Sequence, residues 1–362
     1  MEKHVGITIS SSDPQSFQHN VFLRYLCLLG KKLRLIVYVF SVQSIQHHTV
    51  VGYTYSQKEN NWVKSTFPTP DFIFDRCFTH SMKKKEAQQR FITELCNIKP
   101  VLILNRSVCS KWHMYQLLNK YKCFQPYLPE TKHVENIPMI LDWLEQHDHA
   151  FMKPHMGSHG KQTIAITKRD EEVYDVQCRD EDNRAASHTF HTNASLCEWL
   201  TPWIGNEKYI IQPFLSLKDA QNRAYDIRAL VQKNKNGKWD VTGITVRRGY
   251  TGSITSNLHG GAASIAPMPF LQSLYSKKEA QHLLKQIHQL ALAIPKPLER
   301  HFGHQIEFGI DTGLDKNGNL WLLEVNSKPG RNAFKAFPLI YNHAMGNPVR
   351  YIRYLVESQL GG

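Results

Sequence analysis

The feature that most constrains this chain is the run at residues 33–40, an almost unbroken apolar stretch rich in β-branched and aromatic side chains. A strand with one wet face alternates apolar and polar positions. A run that does not alternate suits a strand covered on both faces, as in a parallel sheet between helices. Its surroundings agree. Residues 4–10 read as a strand, and Pro14 opens a helical pattern reaching Leu29 with Gly30 as its stop. Residues 50–55 and 62–67 form a hairpin pattern around Lys58-Glu59-Asn60-Asn61, 71–74 is a short strand, 82–97 is helical, and 101–104 is a further buried strand. Such alternation predicts a small, mostly parallel α/β domain over residues 1–105.

With 362 residues the chain is long enough for two or three domains. A helix is expected at 110–121, followed by Pro126 and Pro129, and another at 137–147. Strands at 150–153 and 163–167 enclose a glycine-bearing loop, and the polar stretch 170–192 reads as a mobile connection or hairpin. Strands follow at 208–214, 224–233 and 238–247, the last two joined by Asn234-Lys235-Asn236-Gly237. A helix at 277–293, strands at 305–311 and 319–326 around a turn ending in Gly318, and a helix at 349–359 after Pro348 complete the chain. The predicted class is α/β (α+β), with a linker and central unit at 106–206 and a C-terminal unit at 207–362.

No apolar run approaches the ~18 residues that span a bilayer. The first ten residues lack a long apolar segment, so no leader is expected. Seven cysteines, an odd number without a Cys-x-x-Cys pair, give neither a disulfide framework nor a zinc knuckle; reduced thiols in cytoplasm fit best. The formal charge of +13 favours anionic partners such as nucleotides or acidic peptides. The basic residues are spread along the chain, which equally describes an ordinary solvated surface, and no nucleic acid or membrane partner is expected.

Three groups of residues can carry chemistry. Asp311 stands at the end of one expected strand, and Glu324 and Asn326 sit two apart on the next, so they share a face. Their oxygens suit magnesium (one or two ions, with manganese an alternative), or simply a polar strand end. Lys153 and Pro154 end an apolar strand before a loop holding Gly157, Ser158 and Gly160; backbone amides there can approach phosphate, although the spacing is not that of a P-loop. Asp226 and Arg228 share a strand face, where Arg228 can meet a phosphoryl oxygen or simply an ion-pair partner.

Taken in order, Lys153-Pro154 with Gly157 and Gly160, Gln212-Pro213-Phe214, Asp226-Ile227-Arg228, Ser256-Asn257-Leu258-His259-Gly260-Gly261, Asp311, and Glu324-Val325-Asn326-Ser327-Lys328-Pro329-Gly330 resemble the ATP-grasp superfamily. The stretch 256–264 is similar to RimK-type glutamate ligases, and 323–330 also to D-alanine–D-alanine ligases. Over nearly the full length the chain resembles the YheC/YheD group of endospore coat-associated proteins. The resemblance implies an N-terminal Rossmann-like domain, a central lid and a C-terminal domain closing on ATP. It places Lys111 on the α-phosphate, Lys153 on the α- and β-phosphates, and the 157–160 loop over them. The backbone around Gln212, Pro213 and Phe214 would hold adenine, and Asp226 would contact the nucleotide. Arg228 and Asn257 would face the γ-phosphate with Arg247 in reach, and Asp311, Glu324 and Asn326 would hold the metal. Lys328, Gly330 and Arg331 would line the acceptor's entrance.

The sequence also departs from these relatives. Pro213 replaces the glutamate that reads adenine in RimK, residues 255–260 lack that family's arginines, and Gly309 replaces the oxyanion arginine of D-alanine–D-alanine ligases. These losses bear on acyl transfer more than on ATP binding. The expected function is an ATP- and magnesium-dependent carboxylate–amine ligase acting through an acylphosphate, its substrates an amino acid or acidic peptide. Alternatives are a nucleotide-binding, spore-associated structural protein with little turnover, or a kinase that stops at phosphoryl transfer.

Overall fold

The computed structural model describes residues 2–46, 48–78, 82–157, 160–251 and 263–360, which form three sheets. The first contains β1 (Lys3–Ile9), β2 (Leu35–Ser41), β3 (Ile45–Gln46), β4 (Thr49–Ser56), β5 (Asn61–Pro68), β6 (Phe72–Asp75) and β7 (Leu102–Leu104). Its order is β3-β4-β2-β1-β6-β7, with β5 added to β4. The strands β2, β1, β6 and β7 are mutually parallel. The unalternating run does what its pattern predicts: Val37 and Val39 enter one core, while Tyr38 and Phe40 enter another on the opposite face. The first core is covered by α1 (Asn20–Lys32), the second by α2 (Met82–Ile98).

The helix expected from Pro14 is a single 3-10 turn, Pro14–Ser16, capped by the Asp13 carboxylate. The α-helix starts only at Asn20 and runs through Gly30. Gly30 lies tight against the sheet rather than acting as a stop. A Cβ there would lie 2.2 Å from Val37 Cγ2, a stiff β-branched side chain.

Next come α3 (Lys111–Asn119), β8 (Lys132–His133), α4 (Pro138–His147), β9 (His149–Pro154), β10 (Thr163–Asp170), β11 (Val173–Arg179), β12 (Ala185–Phe190), α5 (Asn193–Ile204) and β13 (Tyr209–Gln212). The second sheet is antiparallel, in the order β12-β11-β10-β9-β13-β8. The polar stretch 170–192 supplies two of its strands, since one face of β11 still buries Tyr174, Val176 and Cys178 under α4 and α5. The sheet extends to Gln212, past the expected division at 206, because Tyr209 pairs with Pro154.

The third sheet holds β14 (Arg223–Lys233), β15 (Trp239–Thr251), β16 (Ala263–Ile265), β17 (Glu307–Leu314) and β18 (Leu320–Asn326), with α6 (Pro267–Gln272), α7 (Lys277–Ala293) and α8 (Pro295–Phe302) on one face. Its order is β16-β15-β14-β17-β18. The β17–β18 turn is fixed by Asp315, whose carboxylate accepts from the amides of Asn317 and Asn319 at 2.9 Å each. Gly318 takes the left-handed conformation there, φ +79°. The last helix, α9 (Pro338–Leu360), starts eleven residues before the expected 349 and passes through Pro348. Burial of Ala344 and Met345 before that proline and Val349 and Ile352 after it outweighs the one backbone bond that proline deletes. The helix belongs to two cores: Ala344 packs under the third sheet, while Met345, Val349 and Ile352 pack with the first.

The first and third sheets meet at a buried charge. Glu307, 0% exposed, accepts from Arg76 at 3.0 Å, from Gln232 at 2.8 Å, and from Arg331. Beside it, Asn105 accepts from the amides of Ile306 and Glu307 and donates to the Ser327 carbonyl. Glu307→Gln removes the anion that two buried guanidiniums share. It should cost about 3–5 kcal/mol, seen as a lower denaturation midpoint in urea. Gly30→Ala should cost about 1–2 kcal/mol, because overpacking against Val37 exceeds the gain in helix propensity. An unchanged midpoint in that variant would contradict the close approach of α1 and β2.

Candidate functional site

A cavity of about 350 Å³ opens where the N-terminus of α3, the end of β9, the end of β13 and the β17–β18 hairpin converge. Its floor is built by cross-strand register. Asp226 on β14 lies opposite Arg247 on β15, Arg228 opposite Asp311 on β17, and Asp311 opposite Glu324 on β18. Asp311 is mid-strand rather than at a strand end, since β17 runs on to Leu314.

The register produces a chain of ion pairs. Arg228 grips Asp311 with two nitrogens, one at 2.7 Å. Arg247 holds Asp226 with two bonds of 2.6 Å and reaches Asp311 at 3.0 Å. Asn326 donates to the same carboxylate at 3.4 Å. Burial opposes ionisation of Asp311, but Arg228 and Arg247 together hold its carboxyl below the usual carboxylate range. Burial likewise disfavours the Arg247 cation, and Asp226 and Asp311 overturn that, raising its pKa.

Two lysines face this floor. Lys111 opens α3, whose N-cap Ser110 accepts from the His113 amide. Its ammonium donates to the Gly157 carbonyl at 2.7 Å and stands 3.6 Å from Glu324. Lys153, on β9, donates to the Leu323 carbonyl at 3.3 Å. Burial pushes its pKa down to about 8, with Glu324 and Asp311 opposing the fall and Lys111 adding to it. Gly157 and Gly160 both take positive φ, +141° and +71°, which suits a tight loop. Ser158 and Asn257 lie outside the described residues.

Also lining the cavity, Gln212 donates from its side-chain amide to Thr131 Oγ at 2.8 Å, and Thr131 donates to the Pro129 carbonyl at 2.8 Å. Pro213 and Phe214 are half-buried beyond the lining, Phe214 packing on Phe151 with ring centres 6.4 Å apart. Asp226 also lies below the lining, behind Arg247.

The expected acceptor residues divide. Lys328 and Gly330 line the cavity, and Lys328 ties it to the first sheet through Asp75 (2.9 Å) and the Cys77 carbonyl (2.7 Å). Arg331 does not line it; only 4% exposed, it is spent on Glu307 and the Pro329 carbonyl. Its proximity in sequence to Gly330 hid this inward turn.

Sequence reasoning did not single out His155. Its ring lines the cavity and lies 4.5 Å from that of His133, and its buried Nε2 has no hydrogen-bond partner. Burial, then His133 and Lys208, push its pKa down to about 4, so it is neutral at neutral pH. Asp75 and Arg76 did not stand out either; an acid closing a fully buried strand, with an arginine directly after it, was the available signal.

The donor set fits a hard divalent cation only in part by itself. Among the described residues no three His, Cys, Asp or Glu side chains cluster as a metal site. Two carboxylates and the Asn326 amide stand together, a set that phosphate oxygens can complete.

Comparison with known proteins agrees with this architecture. A profile described as YheC/D like ATP-grasp matches residues 101–355. Endospore coat-associated protein YheC of Bacillus subtilis is 27% identical over 310 residues, covering 84% of this chain and 83% of that protein. The VanG D-Ala:D-Ser ligase of Enterococcus faecalis superposes with a TM-score of 0.55 at 12% identity, over 99% of both chains. D-alanyl-alanine synthetase A of Vibrio cholerae gives 0.54 at 10% identity, over 100% and 99%. The fold is thus that of ATP-grasp ligases, and the chain belongs to the YheC/D-like ATP-grasp family.

Proposed function

We propose that this protein is an ATP- and magnesium-dependent carboxylate–amine ligase. The observation that carries the reading is the convergence of Lys111, Lys153, Arg228, Asp311 and Glu324 on one cavity. Lys111 and Lys153 attract the α- and β-phosphates, and the loop holding Gly157, Ser158 and Gly160 covers them. The segment Gln212-Pro213-Phe214 borders adenine. Asp226 acts through Arg247, whose guanidinium it orients. Arg228, with Asn257, faces the transferred phosphoryl group. Asp311, Glu324 and Asn326 would hold the ion, which when bound neutralises phosphate charge.

A substrate carboxylate oxygen attacks the γ-phosphorus and ADP departs, leaving an acylphosphate. The amine then forms the amide bond, phosphate leaves with the acyl–oxygen bond electrons, and the amine gives up a proton. The chain's contribution is positioning and charge rather than a covalent bond to the protein. Lys328 and Gly330, which line the cavity, would face the acceptor.

One observation favours a second reading, nucleotide binding with little turnover in a spore-associated protein. The cations nearest the site of transfer, Arg228 and Arg247, are each held by carboxylates. Thermal unfolding with magnesium, ATP, or both separates the cases. Both together, at a hundred times their dissociation constant, should add about 2.7 kcal/mol of stability. Glu324→Ala should abolish that gain and reduce ADP formation at least about a hundredfold. Full turnover in Glu324→Ala would sink the metal assignment, and no stabilisation of the wild type would sink nucleotide binding. Stabilisation without ADP release across amino acids and acidic peptides would favour the second reading.

A further inference from the structure

The first sheet carries a second cavity, of about 300 Å³, used by none of the roles above. It lies at the carboxyl ends of two parallel strands: Ser10 and Ser11 follow β1, and Arg76 follows β6. From β1 the chain goes to β2 on one side, and β6 and β7 stack on the other. This is a topological switch point, where connections diverge to opposite faces and leave a crevice. Phe17 and Phe22 give the crevice an apolar wall, and Ser11 and Ser16, bonded to each other, give it hydroxyls. His19 and Phe78 line both this cavity and the larger one, so the two are neighbours across a shared wall.

Charge identifies what the crevice takes. Arg76 lines it although only 3% exposed. Its guanidinium donates to Glu307 and to the Pro329 carbonyl. Glu307 is shared with Arg331, and the neighbouring carboxylate, Asp75, is engaged by Lys328. The buried cluster therefore sets three cations against two carboxylates. The rings of Phe22 and Phe78, centred 5.6 and 5.2 Å from the Arg76 guanidinium carbon, offset only part of the excess. Burial, then Arg331, pushes the pKa of Arg76 down to about 9, the direction expected of a cation short of counter-charge.

We propose that this crevice binds a small organic carboxylate of amino-acid size, its carboxylate on Arg76 and its apolar part against Phe17 and Phe22. This rests on the ligase reading for its purpose, as a substrate held beside the nucleotide, but the binding itself requires no nucleotide. The cavity lies at the small end of ligand pockets, which excludes a peptide of several residues lying wholly within it.

The test uses the full chain without nucleotide. Its melting temperature is followed with each common amino acid, D-alanine and short dicarboxylates at millimolar concentration, and any ligand found is titrated calorimetrically. At least one carboxylate should stabilise the protein, and its amine analogue lacking the carboxylate should not. Ser11→Leu, which fills the crevice without touching the Arg76 pairs, should weaken binding roughly tenfold or more. Arg76→Lys, which keeps the charge but loses the planar fork, should weaken it roughly tenfold. An unliganded melting temperature near that of the wild type shows that Ser11→Leu is folded. The proposal fails if no carboxylate stabilises the wild type, or if binding to folded Ser11→Leu is unchanged. Stabilisation by magnesium and ATP, measured in parallel, separates the two readings. A carboxylate failure with that response intact overturns the crevice alone, and the converse overturns the ligase reading alone.

Discussion

The carboxylate of Glu307 determines how the first and third sheets meet. It is fully buried at the start of β17 and takes hydrogen bonds from Arg76 of the first sheet, Arg331 of the segment after β18, and Gln232 of β14. Desolvating an anion this completely is tolerable only when the donors are fixed around it. The clamp reaches further than its own contacts. Glu307, Gly309 and Asp311 occupy one face of β17 at period two. Whatever fixes Glu307 against the first sheet also fixes where Asp311 stands relative to the second crevice and to Lys328, itself bonded to Asp75.

The floor of the main cavity obeys a related rule. Four cations, Lys111, Lys153, Arg228 and Arg247, face three carboxylates, Asp226, Asp311 and Glu324, and nearly every one is already in contact with an opposite charge. Removing a single partner would strand a charge in a poorly solvated place. Adding an anion and a cation together would not. A polyphosphate can take over lysine and arginine while a divalent ion takes over carboxylate. Under the proposed function, this charge balance is why nucleotide and metal are expected to bind as a unit, each making room for the other.

Much of this was legible in the sequence, for identifiable reasons. The 33–40 run pointed to a strand buried on both faces because it is short, unalternating and rich in β-branched and aromatic residues, and Tyr38 and Val39 do point to different cores. The period-two spacing of Glu324 and Asn326 placed them on one face, and a tight turn at Gly318 brought Asp311 alongside. What failed depended on partners far away in sequence. Gly30 carries the signature of a helix stop, yet its role is set by Val37 across the α1–β2 contact. Pro348 suggested a helix start, but burial on two cores carries α9 through it. Arg331 was assigned outward beside Gly330, whereas Glu307, twenty-four residues earlier, draws it inward.

The glycine at position 309 shows how a departure from a family pattern should be read in three dimensions. By sequence alone, glycine there is the loss of an arginine, which weakens the case for acyl transfer. In the structure, a Cβ at 309 would sit 2.9 Å from Pro329 Cβ and 3.3 Å from a terminal nitrogen of Arg228. A larger side chain has no room, because a guanidinium from the adjacent strand already fills the space. The register of β14 on β17 brings Arg228 opposite Asp311, and Gly309 is the gap that lets it lie flat over the sheet. A cation is therefore present where the linear comparison found none. Its engagement with Asp311 is bidentate and charge-assisted, so under the proposed function it would become available to a phosphoryl group only as another positive charge relieves it of that carboxylate.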